Sequence, residues 1–347
     1  MGVDNQLYIE SGTEPWLPNF SVTAGDVDIT EKIRAGLVNI SLTDYGGSSK
    51  QTDQLVVSVV SEALKVPAAG VIVQLGLGFG SELVNKGSFV VDGATSGGEP
   101  RIVEFTAKAA PLNATRGAGA VQSKKTRSWV NKTIDDIVSA VASEQGLTAR
   151  VSTRYANQVI EQLDQVGESD ASLITRLAAR VDAVSKMTGG YWTFLPRGAG
   201  ESASGKPLQH VVIKREQTSN WSYTRQSRTG DGGGGSNGTF VVKYHDQASG
   251  QIKELRNGSG DPVIEAPLTE PSLAAAQELM PGVSGSAQKK QVSMSLSLPA
   301  TPELVALTAE CKITTSGFGS VEDREWTISS LNMTLSEQGF GMRLSLE

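Results

Sequence analysis

Asp164, Glu168 and Asp170 place three carboxylates within seven residues. Two carboxylates held at the right separation can act as acid and base in glycoside hydrolysis. The same residues also suit a helix start. Ser169 can accept a hydrogen bond from an orphan backbone N–H, and Asp170 suits the positive helix end. Capping accounts for two of the residues at once, so it is the stronger reading. His210 and His245 are the two histidines of the chain and are candidate general bases. Neither lies near a nucleophile in a strained-turn setting such as Gly-x-Ser-x-Gly.

Gly76-Leu77-Gly78-Phe79-Gly80 has the glycines of a phosphate loop. Such a loop needs a helix after it, so that backbone N–H groups point at the anion. Here Ser88-Phe89-Val90-Val91 follows, a strand pattern, and no Gly-Lys-Ser/Thr ending is present. Cys311, the single cysteine, reads as a small buried hydrophobe within a strand. One cysteine excludes an internal disulfide and a cysteine zinc site. Arg116, Lys124, Lys125, Arg127 and Lys132 make the stretch from Ala109 to Lys132 basic. With Trp129 its only aromatic, a stacking platform for nucleic acid is poorly supported. An exposed connection, or a dock for an acidic protein surface, fits better. No residue is therefore assigned as catalytic, cofactor-binding or metal-binding. The chemistry points to a binding or structural protein rather than an enzyme.

The composition agrees. At 347 residues, two or three domains are expected. The formal charge of −6 argues against nucleic-acid binding by bulk charge. Met1–Pro18 carries Asp4, Glu10 and Glu14 and lacks the basic start and apolar run of a signal peptide. The longest apolar stretch, Val66–Leu77, is broken by Pro67, Gly70 and Gln74, so no membrane anchor is expected.

The elements that must position these residues are mostly strands. Val38, Ile40 and Leu42 alternate with polar neighbours, as do Leu55, Val57 and Val59. Val71, Val73, Leu75 and Leu77, then Phe89 and Val91, then Val103, Phe105 and Ala107 continue the pattern. Period-two alternation buries one face of each strand. Even spacing without intervening helices predicts a barrel or sandwich. The next residues change period. Ile134, Ile137, Val138, Val141 and Ala142 share one helix face, with Thr133 and Asp136 spaced for a capping box and Gly146 as the stop. A second helix is predicted from Asp170 to about Ser185, then a strand or hairpin at Tyr191–Leu195. Strands resume at Val211–Ile213, Trp221–Tyr223 and Phe240–Val242. Between the last two, Gly230–Gly238 cannot pack a core. Pro271–Leu279 reads as a helix stopped by Pro281-Gly282. The chain closes on Val292–Leu298, Trp326–Leu335 and Met342–Leu346. The inward phase slips between Ile328 and Leu331, which predicts a bulge at Ser329-Ser330.

The fold class expected is therefore mainly β with an α/β insert. The boundaries read are 1–112 for a first β domain, 113–127 for a basic linker, 128–197 for an α/β middle domain and 198–347 for a second β domain, the two β domains being the ones that the resemblance described next makes small β-barrels.

The central block is also familiar as a pattern. Arg127-Ser128-Trp129, Thr133 to Val138, Glu144-Gln145-Gly146-Leu147, Leu163-Asp164-Gln165 and Glu168-Ser169-Asp170 with Leu173 to Ala178 resemble the phage late control protein D family. Asp53-Gln54-Leu55, Lys86 to Asp92, Pro302-Glu303-Leu304 and Trp326-Thr327-Ile328 extend the resemblance over nearly the whole chain. Gly230–Gly238 and Gly198–Pro207 look like local insertions, and Val305-Ala306-Leu307 stands where the family often has Pro-Gly.

The resemblance implies a baseplate hub of a contractile phage tail or a phage-tail-like particle, made in the bacterial cytoplasm. It is similar to the hub part of VgrG. It implies a homotrimer in which two related small β-barrels per chain present six similar units, joining a sixfold tail tube to a threefold spike. Because the sequence stops at Glu347, the spike is expected to be a separate protein. A tail tube protein or tube-initiator and other baseplate proteins are the further partners implied, and a tape measure protein is allowed. Neither a cofactor nor sequence-specific nucleic-acid binding is implied. The competing reading is a tail-associated cell-wall glycosidase using Asp164, Glu168 or Asp170.

Overall fold

The computed structural model describes residues 16–47, 51–109, 123–188, 190–198, 200, 206–225, 238–261, 263–289 and 292–347. Arg116, most of the Arg197–Pro207 run and the glycine-rich loop ahead of Gly238 lie outside them.

The alternating segments do form strands. The first region holds β1 (Pro18–Ala24), β2 (Val27–Asp28), β3 (Leu37–Tyr45), β4 (Gln54–Val60), β5 (Ile72–Phe79), β6 (Glu82–Gly97) and β7 (Ile102–Ala109), with a short helix α1 (Thr30–Arg34). Leu55, Val57, Val59, Val73, Leu75, Leu77, Phe89, Val91, Val103, Phe105 and Ala107 are buried, as the alternation requires. Val38 is an exception. A register shift between Leu37 and Asn39 turns it outward, leaving Ile40 and Leu42 to fill the core.

The middle region holds β8 (Lys124–Thr133), α2 (Ile134–Glu144), β9 (Thr148–Val151), α3 (Thr153–Ala156), β10 (Val159–Ser169), α4 (Asp170–Arg180), β11 (Ala183–Thr188) and β12 (Tyr191–Pro196). The capping box that starts α2 is present. Thr133 Oγ1 accepts from Asp136 N at 3.0 Å, and Asp136 Oδ2 accepts from Thr133 N at 3.1 Å. Ser169 Oγ caps α4 by accepting from Ser172 N. The helix stops at Arg180, short of the predicted Ser185. Asp182 takes a positive φ of 53°, which turns the chain into β11. Hydrophobic residues at 181, 183 and 184 suit either element, and the strand pairing with β12 decides.

The stretch expected as an exposed connection ends in regular structure: Lys124–Lys132 lies in the strand β8, which pairs antiparallel with β10 while Lys124, Thr126, Ser128 and Lys132 stay exposed. Lys125 and Arg127 are drawn in by Asp170 at the start of α4 and Glu144 at the end of α2.

The last region holds β13 (His210–Lys214), β14 (Asn220–Arg225), β15 (Gly238–Asp246), β16 (Gln251–Ser259), β17 (Val263–Glu265), α5 (Leu273–Lys289), β18 (Val292–Pro299), α6 (Pro302–Val305), β19 (Lys312–Ser316), β20 (Glu325–Ser336) and β21 (Gly339–Leu346). A register shift between Ile328 and Ser330 is the predicted bulge. Helix α5 overruns its predicted stop and continues through Pro281 to Lys289. Gly282 explains the continuation. A Cβ there would lie 2.2 Å from the Ala179 carbonyl oxygen, so only glycine lets α5 rest on the C-terminal end of α4. That tertiary contact outweighs the lost helical hydrogen bond at the proline.

Thirteen strands form one sheet. The order is β14-β18-β21-β20-β3-β4-β7-β6-β5-β1-β2, with β19 on β20 and β13 on β19. The first and last regions thus meet where β3 pairs with β20, Ser330 opposite Tyr45 through Ser336 opposite Asn39. They share one apolar core. The α/β region has a separate core under α2 and α4. Residues 238–289 leave the sheet between its neighbours β14 and β18 and build a third core around Phe240, Val242, Ala276 and Met280.

Candidate functional site

The acid cluster is brought together with basic residues rather than with other acids. Asp170 is fully buried. Its Oδ2 accepts from Lys125 Nζ at 2.6 Å and Gln145 Nε2 at 2.8 Å. Its Oδ1 accepts from Arg127 Nη2 at 2.9 Å and Gln165 Nε2 at 3.0 Å. Glu144 bridges the same two cations, 2.7 Å from Lys125 and 2.6 Å from Arg127. Burial pulls the Asp170 carboxyl upward. The bonds from Lys125, Gln165 and Gln145 and the Lys125 charge outweigh that pull, so its pKa lies below the ordinary value. A carboxylate held ionised by four donors is a poor general acid. Glu168 is occupied by Arg176 at 2.8 Å, and Asp164 accepts from Gln162. The cluster is a structural staple that ties β8, β10, α2 and α4 together.

The other candidates stay apart. His210 is exposed on β13, its Nε2 3.0 Å from Thr314 Oγ1, whereas His245 is exposed on β15 in a different sheet. Gly76–Phe79 lies inside β5, and the hairpin to β6 follows directly, so no helix end faces the glycines. Cys311 is buried one residue ahead of β19, slightly outside the strand expected for it. Among the described residues, no cluster of His, Cys, Asp and Glu could hold a metal ion. Among them, no helix is long and apolar enough to cross a membrane.

A second charged constellation lies where the three regions meet. A cavity of about 650 Å³ opens between β3, β6, β11, β12 and the turn at Ala306–Glu310. Lys186 Nζ, from β11, contacts Asp44 Oδ1 and lies 3.0 Å from Asp53 Oδ2. It also donates to the Tyr45 carbonyl. Burial lowers the Lys186 pKa, but the Asp44 and Asp53 charges prevail and hold it above the usual value. Burial lifts Asp53 to about 6 against the pull of Lys186 and the Tyr45 N–H, with Asp44 adding to the rise. Lys86 Nζ donates to the carbonyls of Val305 and Leu307, and burial lowers its pKa to about 8 against the raising effect of Asp44 and Cys311. Glu310 Oε1 accepts from Gly47 N at 3.0 Å, and its Oε2 from Gly198 N at 3.3 Å.

Sequence reasoning misses Lys186, Asp44 and Glu310 as a group. Asp53 and Lys86 carry a signal, since both lie in blocks that resemble the family, but nothing in one chain shows that they face one cavity.

The sheet keeps open edges. Among the described residues, β2 covers only the end of β1, pairing Thr23 and Ala24, and Trp16, Leu17 and Val27 beside it are exposed. Among the described residues, β14 pairs with β18 alone, and β16, in a different sheet, with β15 alone. Unpaired edges are templates for pairing with another chain.

The described residues build a mainly β fold with an α/β insert. The 43 kDa tail protein of prophage MuSo2 from Shewanella oneidensis shares it, with a TM-score of 0.69 at 12% identity over 95% of this chain and 98% of that one. The profile of the phage tail baseplate hub (GPD) family matches residues 116–339, and the chain belongs to that family.

Two relatives extend the match. The chain is 33% identical over 212 residues to the probable baseplate hub protein of Escherichia phage 186. That alignment covers 60% of this chain and 52% of that protein, about half its length. It is 26% identical over 366 residues to the probable baseplate hub protein of Escherichia phage P2, covering 95% of this chain and 93% of that one. The protein is a structural component of a phage tail baseplate.

Proposed function

We propose that the chain is a trimeric adaptor that joins a sixfold tail tube to a threefold central spike. In this reading residues 1–112 and 198–347 supply two related β-barrel units. Residues 128–197 form the α/β domain between them, and other baseplate proteins dock around the ring.

The pairing of β3 with β20 carries the proposal. It fastens the first and last β regions side by side, so one chain offers two β units and three chains would offer six. Among the described residues, the partly covered β1–β2 edge and the β14 edge lie at opposite ends of the sheet order, an arrangement that supports head-to-tail closure of a ring. The role is scaffolding without catalysis.

Light scattering on the purified chain, alone and mixed with a purified candidate spike protein, tests the reading. One chain is 36.5 kDa, so a trimer has a mass of about three times that value. A trimer, alone or with spike, is the expected result. A monomer that ignores the spike would overturn it.

A further inference from the structure

The interface between the α/β region and the thirteen-stranded sheet is bridged by ion pairs beside a cavity of mixed polar and apolar lining. Their apolar cores are separate. The contacts that cross the interface are made by Lys186 with Asp44, Asp53 and the Tyr45 carbonyl, and by Arg197 with Glu347 at 3.5 Å. Gly198 N reaches Glu310 from the same side. Gly47 packs so closely on β11 that a Cβ would lie 2.8 Å from the Val184 Cβ. The cavity described above occupies much of the remaining junction.

The 238–289 excursion belongs to the α/β side. Arg180 Nη2 lies 2.6 Å from Glu270 Oε2, Ser272 Oγ donates to Glu161 at 3.1 Å, and α5 rests on α4. Each body therefore holds itself together, while the seam between them is bridged by ion pairs, incompletely filled and not spanned by either apolar core. Self-sufficient units without a large continuous apolar interface move relative to one another by default.

We infer that the α/β region and its 238–289 excursion form one rigid body that docks on and undocks from the β body, with Lys186 as the latch on Asp44 and with Asp53, the second carboxylate beside the same single cation, opposing docking while it is ionised. The latch is a conformational device of this chain and does not depend on the adaptor reading.

Its chemistry sets the direction of its response. Docking buries the Asp53 carboxylate beside Asp44 and Lys186, with Lys86 and Glu310 in the same cavity. Burial raises the Asp53 pKa in the docked form, so the docked form binds a proton more tightly than an undocked, hydrated one. Acidification from pH 7 towards pH 4.5 therefore favours docking. Removing Lys186 does the reverse, because two carboxylates are then buried without their cation.

Spin labels at Arg154→Cys and Glu337→Cys, both exposed and on different bodies, report the separation in a Cys311→Ala background. The labelled chain is diluted with unlabelled chain, so that only distances within one molecule are read. At pH 7 the expected distance distribution has a major docked population and a minor longer one. Lys186→Met enlarges the longer population. Asp53→Asn, which mimics the protonated acid, shrinks it and removes its pH dependence. In the parent chain the longer population falls on the order of tenfold between pH 7 and pH 4.5. A single distribution that neither variant nor pH alters would overturn the inference. If Lys186→Met does not fold, Asp53→Asn and the pH series decide the matter alone.

Discussion

Arg127 Nη2 lies 2.9 Å from Asp170 Oδ1, and the carboxylate that best suits an enzymatic role is thereby fixed as a salt-bridged anchor. Lys125, Gln145 and Gln165 complete its coordination, and none of its side chain is exposed. Removing one partner of such a buried network leaves uncompensated charge.

Asp170→Asn is therefore expected to cost about 3 kcal/mol, at the lower end for a broken buried ion pair. Urea unfolding followed through Trp192, which is buried in the α/β core, reads the change. A loss below about 0.5 kcal/mol would place the network among surface pairs of little consequence.

The same network sets an acid limit. The pKa values of Asp170 and Glu144 both lie below their ordinary values: burial raises each, and the bonds from Lys125 and its neighbours more than reverse it. The unfolded chain then binds more protons than the folded one as pH falls below the ordinary carboxylate range. Stability from this network is present above that range and is lost as pH falls through the depressed folded values. Asp170→Asn should flatten the acid limb of a melting-temperature series, and an unchanged limb would assign acid loss elsewhere.

Lys86 acts in the alkaline range with the opposite sense. Its pKa is lowered to about 8, so between that pH and the ordinary lysine value the unfolded chain binds more protons. Stability contributed by Lys86 should rise with pH across that window by up to about 2 kcal/mol. Lys86→Met should remove the rise, and at pH 7 should still destabilise by leaving the Val305 and Leu307 carbonyls without their donor. Denaturant midpoints at pH 7 and pH 10 measure both effects.

Gly282→Ala should disturb the contact of α5 with α4, since its Cβ would lie 2.2 Å from Ala179 O and 2.7 Å from Arg180 O. A cost of about 1–3 kcal/mol, confined to residues 238–289 and the end of α4, is expected from overpacking. Hydrogen exchange resolved by segment should show faster exchange there and unchanged β20–β21 pairing.

The glycosidase reading makes its own demand. Clearing on peptidoglycan zymograms, abolished by Glu168→Gln, is what it requires. With Glu168 bound to Arg176 and Asp170 saturated, no clearing is expected from the parent chain.

What the sequence by itself determined were the local features. Period-two runs at Leu55–Val59 and Val103–Ala107, the Thr133–Asp136 capping box, the Ser169 cap and the Ser329-Ser330 bulge all depend on neighbours a few residues away. Backbone sterics and side-chain alternation act at that range, so one chain displays them. The family-like blocks were legible too, and the family profile agrees with them.

Only the tertiary structure decided the rest. Within the basic run Lys124–Lys132, Lys125 and Arg127 read as solvated until Asp170 and Glu144, supplied by α4 and α2, pair with them. Pro281 reads as a stop until the carbonyl end of α4 accepts Gly282 against it. Strand β3 finds β20 nearly three hundred residues away, and Lys186 finds Asp44 and Asp53 from a region with its own core. Charge compensation and close packing are set by which surfaces meet. Those meetings join residues too far apart in the chain for any local pattern to record them.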